Sequence, residues 1–331
     1  MKNKIIATLV ALGLVGSASA LDINENLTIN GFIDGSYKHV DNATLGGGGS
    51  TTDQELGLDE IELNFLFNVG GASGAIHIDD HDNQNAGSYS DDSDIDVEQA
   101  FIGYSMENGV SFQLGKYGSN LGFEREDPTG LYTFSRAYSG GGFNLGDVDS
   151  NVNEGLRIGY SSDVFGLTAS FQNEGDADGE EDELDLEVSF TYTGIENLAF
   201  GGGYHFDNQA DNALETDILN VHVATTAGKF MLAAEFIEMD SGNANGDLDG
   251  WMVLADYDVS EKLGMVFRVS SNEQGGNTDY EKVTLAPNYQ LAENLGVILE
   301  YSDVEDGSRA IKDGNELALD RSEERRVGKE C

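Results

Sequence analysis

A transmembrane, antiparallel, up-and-down β-barrel of about 16 strands is the all-β fold that this 331-residue sequence predicts. Three observations predict it. Apolar and polar residues alternate along many short segments, the connections between those segments alternate short and long, and no mature segment has the roughly 18 consecutive apolar residues of a membrane helix. Forty-three glycines and two prolines at average hydrophobic content also argue against a helical bundle.

The alternation is clearest from Leu184 to Thr193, where Leu184, Leu186, Val188, Phe190 and Tyr192 interleave with Asp185, Glu187, Ser189, Thr191 and Thr193. Period two gives a strand one apolar and one polar face. Ile61 to Val69, Leu263 to Ser270 and Leu295 to Tyr301 repeat the pattern. Candidate strands fall near 27–38, 56–69, 74–79, 95–105, 110–117, 155–162, 166–173, 183–193, 198–206, 217–226, 229–239, 250–258, 263–270, 280–290 and 295–302, and a last one begins near Asn315 and is expected to be truncated at Asp320. Pro287 removes a ladder donor from a strand with no free edge, which predicts a bulge there.

Between the strands, turns such as GGAS, MENG, GIEN and VSEK alternate with long polar loops such as DHDNQNAGSYSDDSD and DSGNANGDLD. A barrel with tight periplasmic turns and longer external loops has this rhythm, whereas a soluble Greek-key sandwich has no reason to keep it. Tyr160, Tyr192, Tyr257 and Tyr289 cluster at one set of strand ends, and Phe206, Trp251, Tyr280 and Tyr301 at the other. They are the expected interfacial girdles.

Residues 1–20 read as a secretory signal peptide: Lys2 and Lys4, a short apolar run, then Ala18-Ser19-Ala20. The barrel is expected over 21–320. Residues 321–331, RSEERRVGKEC, match the in-frame translation of a sequencing adapter and are expected to be a non-native tail. The formal net charge of −44 excludes nucleic acid as a natural partner. The single cysteine, Cys331, lies in that tail, so no disulfide or thiolate metal site is expected.

Once a barrel is granted, charges on the strands must face the lumen, because charge on the lipid face is costly. Parity then gives Glu62, Arg157, Asp185, Glu187, Glu235, Arg268, Lys282 and Glu300 as lumen-facing. The third external connection, 118–155, differs from its acidic neighbours. It mixes Glu124, Arg125, Glu126, Asp127 and Arg136 with Phe123, Leu131, Tyr132, Phe134, Tyr138 and Phe143, a composition able to pack.

The segment GKYGSNLGFEREDPTGLYTFSRAYS, Gly115 to Ser139, following a strand within the short-long meander, resembles the OmpL-like porin-2 family of outer-membrane barrels; the architecture is also similar to general sixteen-stranded porins. The resemblance implies that the third loop folds into the lumen and that Glu124, Arg125, Glu126, Asp127 and Arg136 form a pore constriction. A loop that lids the barrel, or packs on a neighbouring protomer, is the alternative.

The function expected is passive diffusion of small hydrophilic solutes or ions across the outer membrane of a Gram-negative cell, with a mild cation preference because carboxylates outnumber bases. A structural or adhesive barrel with a plugged lumen is the rival, and a secreted calcium-dependent β-protein a more distant one. Expected partners are outer-membrane lipid, lipopolysaccharide and small solutes, with a homotrimer open. Catalysis has no candidate. His39, His77, His81, His205 and His222 are scattered, and His205 and His222 share the polar parity of their strands. No cofactor is expected beyond loose Ca²⁺ or Mg²⁺ at acidic loops such as Asp176-Ala177-Asp178-Gly179 and Asn243 to Asp247, which lack the full spacing of a calcium loop. The string HIDDH, His77 to His81, reads as a polar strand end more readily than as a metal site.

Overall fold

The computed structural model describes residues 21–44, 51–81, 96–123, 131–138, 152–173, 184–208, 216–241, 247–274, 278–292, 294–306 and 311–322. A short β1 (Leu21–Asn24) turns onto β2 (Leu27–Thr44). There follow β3 (Thr51–Val69), β4 (Ala72–His81), β5 (Asp96–Ser105) and β6 (Val110–Tyr117), then β7 (Asn153–Ser161), β8 (Phe165–Gln172), β9 (Asp185–Ile195) and β10 (Leu198–Phe206). The chain continues through β11 (Thr216–Ala227), β12 (Phe230–Ser241), β13 (Leu248–Asp258) and β14 (Leu263–Gln274), and then β15 (Thr278–Ala292), β16 (Leu295–Asp306) and β17 (Ile311–Ser322).

Each strand from β2 to β17 lies antiparallel to the one before it. The last, β17, returns to pair with β2 from Asp34 to Thr44, closing a ring of sixteen. Closure is what lets strands cross lipid, since every edge donor and acceptor then finds a neighbour. The hairpin of β1 adds Leu21 opposite Ile29 at the beginning of β2.

Two-residue turns join β3 to β4 and β11 to β12, and Gly70 and Gly228 at their first positions both adopt φ +64°. A side chain there would meet the strain of the left-handed region. The other ends of the same strands carry all the long connections, so the short-long rhythm maps onto the two rims of the ring.

Alternation sorts the strand residues onto two faces. Leu232, Phe236, Trp251, Val253, Phe267, Val283 and Leu285 are exposed on the outer one. Their neighbours Glu235, Met252, Arg268, Lys282 and Thr284 are buried on the inner one. A sheet that offers bare apolar side chains outward and shields charge inward is inverted relative to a water-soluble domain, as a bilayer requires.

The structure departs from the sequence reading at four places. The strand β1 was not anticipated, because four residues of LDIN are too few to show a period. Several strands run past their expected ends, as β2 does to Thr44 and β16 to Asp306. Beyond the apolar band both faces meet water, so alternation fades while the ladder continues. Pro287 makes no bulge. The register with β16 is the same before it, at Leu285 with Tyr301, and after it, at Asn288 with Ile298, and the shift comes later, between Gln290 and Ala292. Finally, Tyr280 is no girdle residue. It shares the parity of Lys282 and Thr284 and is buried inside, whereas Phe206, Trp251 and Tyr301 remain exposed outside.

Candidate functional site

The connection after β6 enters the ring and crosses it. Its described parts, 118–123 and 131–138, touch inner-wall residues of strands spread around the circumference, which is possible only from inside.

Ser119 donates to Oε2 of Glu187 on β9 at 2.5 Å, and the Asn120 amide donates to Oε1 at 3.0 Å. Phe123 N–H donates to Oε1 of Glu235 on β12 at 2.6 Å, where the Asn220 side chain also donates at 2.8 Å. Further on, Ser135 gives its amide at 3.0 Å, and its hydroxyl, to the Glu300 carboxylate on β16. Carbonyls are held too. Arg268 on β14 donates to Ser135 O at 2.6 Å, the Ser270 hydroxyl to Ala137 O, and Arg157 on β7 to Gly118 O at 2.5 Å. Phe134 reaches the far wall, 5.2 Å beneath the Lys38 ammonium of β2.

Anionic acceptors for loop amides, and guanidinium donors for loop carbonyls, satisfy backbone groups that a loop inside a barrel cannot otherwise pair. Arg157 is itself fixed. It lies 4.2 Å from the centre of the Tyr117 ring and donates to Ser170 Oγ at 2.9 Å.

An apolar seat completes the attachment. Leu121, Ala137 and Tyr138 pack on Ile218, Ile237, Met239, Leu248, Met252, Leu254 and Val266, all buried on the inner face of β11 to β14. Full burial of one such leucine contributes roughly 1.5–3 kcal/mol. Gly250 leaves room for the Tyr138 ring: a Cβ there would stand 3.1 Å from Tyr138 Cε1 and 3.1 Å from Ile237 Cγ2. Gly250→Val is therefore expected to overpack the seat, destabilising the folded barrel by about 1–3 kcal/mol and loosening the loop. Urea unfolding of the refolded variant measures the first effect and protease sensitivity of the loop the second.

All eight charged residues expected on the inner face are buried. Five of them, Arg157, Glu187, Glu235, Arg268 and Glu300, grip the loop. Asp185 instead accepts from Asn208 N at 2.9 Å and lies 3.7 Å from His205 Nε2. Lys282 flanks Glu300 beside Arg268, and Glu62 approaches His77. Of the five constriction candidates, Arg136 is half-buried within the docked segment, while Glu124, Arg125, Glu126 and Asp127 lie outside the described residues. Asp176 to Gly179 and Asn243 to Gly246 lie outside them as well.

The apolar seat was missed because the strand reading assigned every apolar residue to the lipid face. A signal was present: MLAAEFIEM, Met231 to Met239, is apolar at both parities, as a strand buried on both sides should be.

A profile of Gram-negative porins matches residues 7–308. The chain belongs to the Gram-negative porin family. It is thus an outer-membrane channel for solutes and not an enzyme. Solved structures agree in fold at low identity. OmpF of Salmonella typhi, in complex with daunomycin, superposes with a TM-score of 0.64 at 13% identity, covering 92% of this chain and 99% of its own. The outer-membrane channel DcaP of Acinetobacter baumannii gives 0.63 at 12% identity, with 92% and 99% covered. OmpT of Vibrio cholerae in its trimer form gives 0.58 at 18%, with 91% and 100% covered. No curated protein sequence matches significantly.

Proposed function

We propose that this porin passes small hydrophilic solutes and ions by passive diffusion, that the third loop, 118–155, narrows its lumen, and that the pore prefers cations. The observation that carries this reading is the inward loop, tied by five charged wall residues and seated on one apolar side of the ring. Running from β7 and β9 past the apolar seat to β16 and β2, the described parts of the loop take up cross-section that a solute would otherwise use, which narrows the lumen.

Charge supports the cation preference. Among the described residues the buried carboxylates are Asp34, Glu62, Asp79, Asp185, Glu187, Glu235, Asp256 and Glu300, against Arg157, Arg268 and Lys282 as buried bases. Carboxylates within a water-filled lumen of low-dielectric walls raise the local cation concentration. Glu124, Arg125, Glu126, Asp127 and Arg136 are proposed to face the narrowest part. A homotrimer is proposed by analogy with the trimer form of OmpT, and cross-linking in the native membrane tests it.

The channel experiment is conductance in a planar bilayer with a salt gradient. Ohmic open steps and a reversal potential of cation-selective sign are the expected result. Absence of open steps would favour the plugged structural barrel instead, and an anion-selective potential would refute the preference.

A further inference from the structure

The inner wall of β3 to β5 brings three ligand-type side chains together, Glu62, His77 and Glu98. On β3 and β4 the register pairs Asn64 with His77 and Glu62 with Asp79, so Glu62 and His77 are diagonal neighbours. Glu98 of β5 joins them through a defect in the ladder. His77 pairs with Gln99, but the next residue, Ile78, pairs with Val97, so Glu98 is an extra residue in a bulge. Simple alternation back from the exposed Ile102 would send Glu98 to the lipid face. The bulge turns it inward beside His77 and gives the outward position to Val97.

Nδ1 of His77 stands 3.5 Å from Oε1 of Glu62 and 3.7 Å from Oε2 of Glu98. Both separations exceed the roughly 2.7–3.2 Å of a hydrogen bond. They are close to the spacing of about 3–3.5 Å that two ligands adopt around one ion at roughly 2.0–2.2 Å from each. Neither ring nitrogen of His77, nor Oε2 of Glu98, has a hydrogen-bond partner, and all three atoms are sealed from solvent. Lone pairs so placed are costly unless something occupies the space between them.

We propose that Glu62, His77 and Glu98 form a binding site for a divalent first-row transition-metal ion, such as Zn²⁺, on the inner wall of the barrel. One imidazole with two carboxylates suits such an ion better than Ca²⁺ or Mg²⁺, which take oxygen ligands alone. A doubly charged ion offsets both carboxylates and takes up the imidazole lone pair. Asn64, opposite His77 in the register, carries a further buried oxygen, Oδ1, without a donor.

The test uses the full chain refolded in detergent and titrated with Co²⁺ in excess Mg²⁺, which occupies the acidic loops. One Co²⁺ per chain is expected, with visible d–d absorption that Zn²⁺ abolishes. His77→Gln and Glu98→Gln should each weaken binding by more than the roughly 10–100-fold cost of losing an outer-shell group, with unchanged heat-modifiable gel mobility. Absence of Mg²⁺-resistant Co²⁺ binding, or His77→Gln binding as tightly as the parent, overturns the proposal. If a variant fails to fold, electron-spin-echo spectra of the Cu²⁺-loaded parent decide the matter: modulation from one imidazole supports the site, and its absence overturns it. Because the readout is binding, a negative result leaves the channel reading standing.

Discussion

Glu235→Ala combined with Glu300→Ala is expected to release the third loop from the wall, raise single-channel conductance and current noise, and strongly destabilise the barrel. Glu300 takes the amide and hydroxyl of Ser135 and the Ser302 hydroxyl, with Arg268 and Lys282 beside it. Removing one partner of such a buried charge cluster costs about 3–5 kcal/mol, because the cations left behind remain buried. Glu235 collects Phe123 N–H, the Asn220 amide and, at 3.4 Å, the Tyr138 hydroxyl. Hydrogen bonds to a charged acceptor contribute roughly 1.5–3 kcal/mol each. Once both are gone, residues 131–138 keep the apolar seat and the donors to Ser135 O and Ala137 O from Arg268 and Ser270, but no carboxylate fastening from these two strands. Bilayer recordings and limited proteolysis check the outcome together. A variant with parental conductance and a protease-resistant loop would show that these carboxylates do not fasten the constriction.

The ring was largely legible because period two is written wherever one strand face meets lipid and the other does not. Leu184 to Thr193 falls within a few residues of β9, and 110–117 and 198–206 coincide with β6 and β10. What escaped lay where that contrast vanishes. Strand ends beyond the apolar band lose it to water on both faces, and Pro287 kept the register because missing one donor does not require an added residue.

The inner-face charges could be assigned by parity, but their employment could not. Whether Glu187 lines open water or accepts from Ser119 and Asn120 depends on a loop whose path no local pattern encodes. The same limit hid Glu98. Counting alternation from Ile102 puts it outward, and only the ladder between His77 and Ile78 reveals the inserted residue. Local composition did flag 118–155 as unusual, because aromatics and arginines are poor company for a solvated loop.

Val253→Arg is expected to cost about 2–4 kcal/mol of folding stability in a bilayer, whereas Val164→Arg, in the short turn between β7 and β8, should cost about 0–1 kcal/mol. Val253 is mid-strand, 49% exposed, and pairs with Val269 and Ala234, while the adjacent Met252 is fully buried inside. The contrast separates the barrel from any soluble arrangement of the same alternating strands. In a sandwich the apolar face packs on a second sheet, and an arginine would disrupt it with or without lipid. Here Val253 lies exposed on the outer face, so the penalty comes from the hydrocarbon and must fall with distance from the midplane. Urea unfolding of both variants in phosphatidylcholine vesicles measures the depth dependence. Equal losses at the two positions would contradict a lipid-facing Val253, and with it the assignment of the outer face from which every lumenal residue is counted.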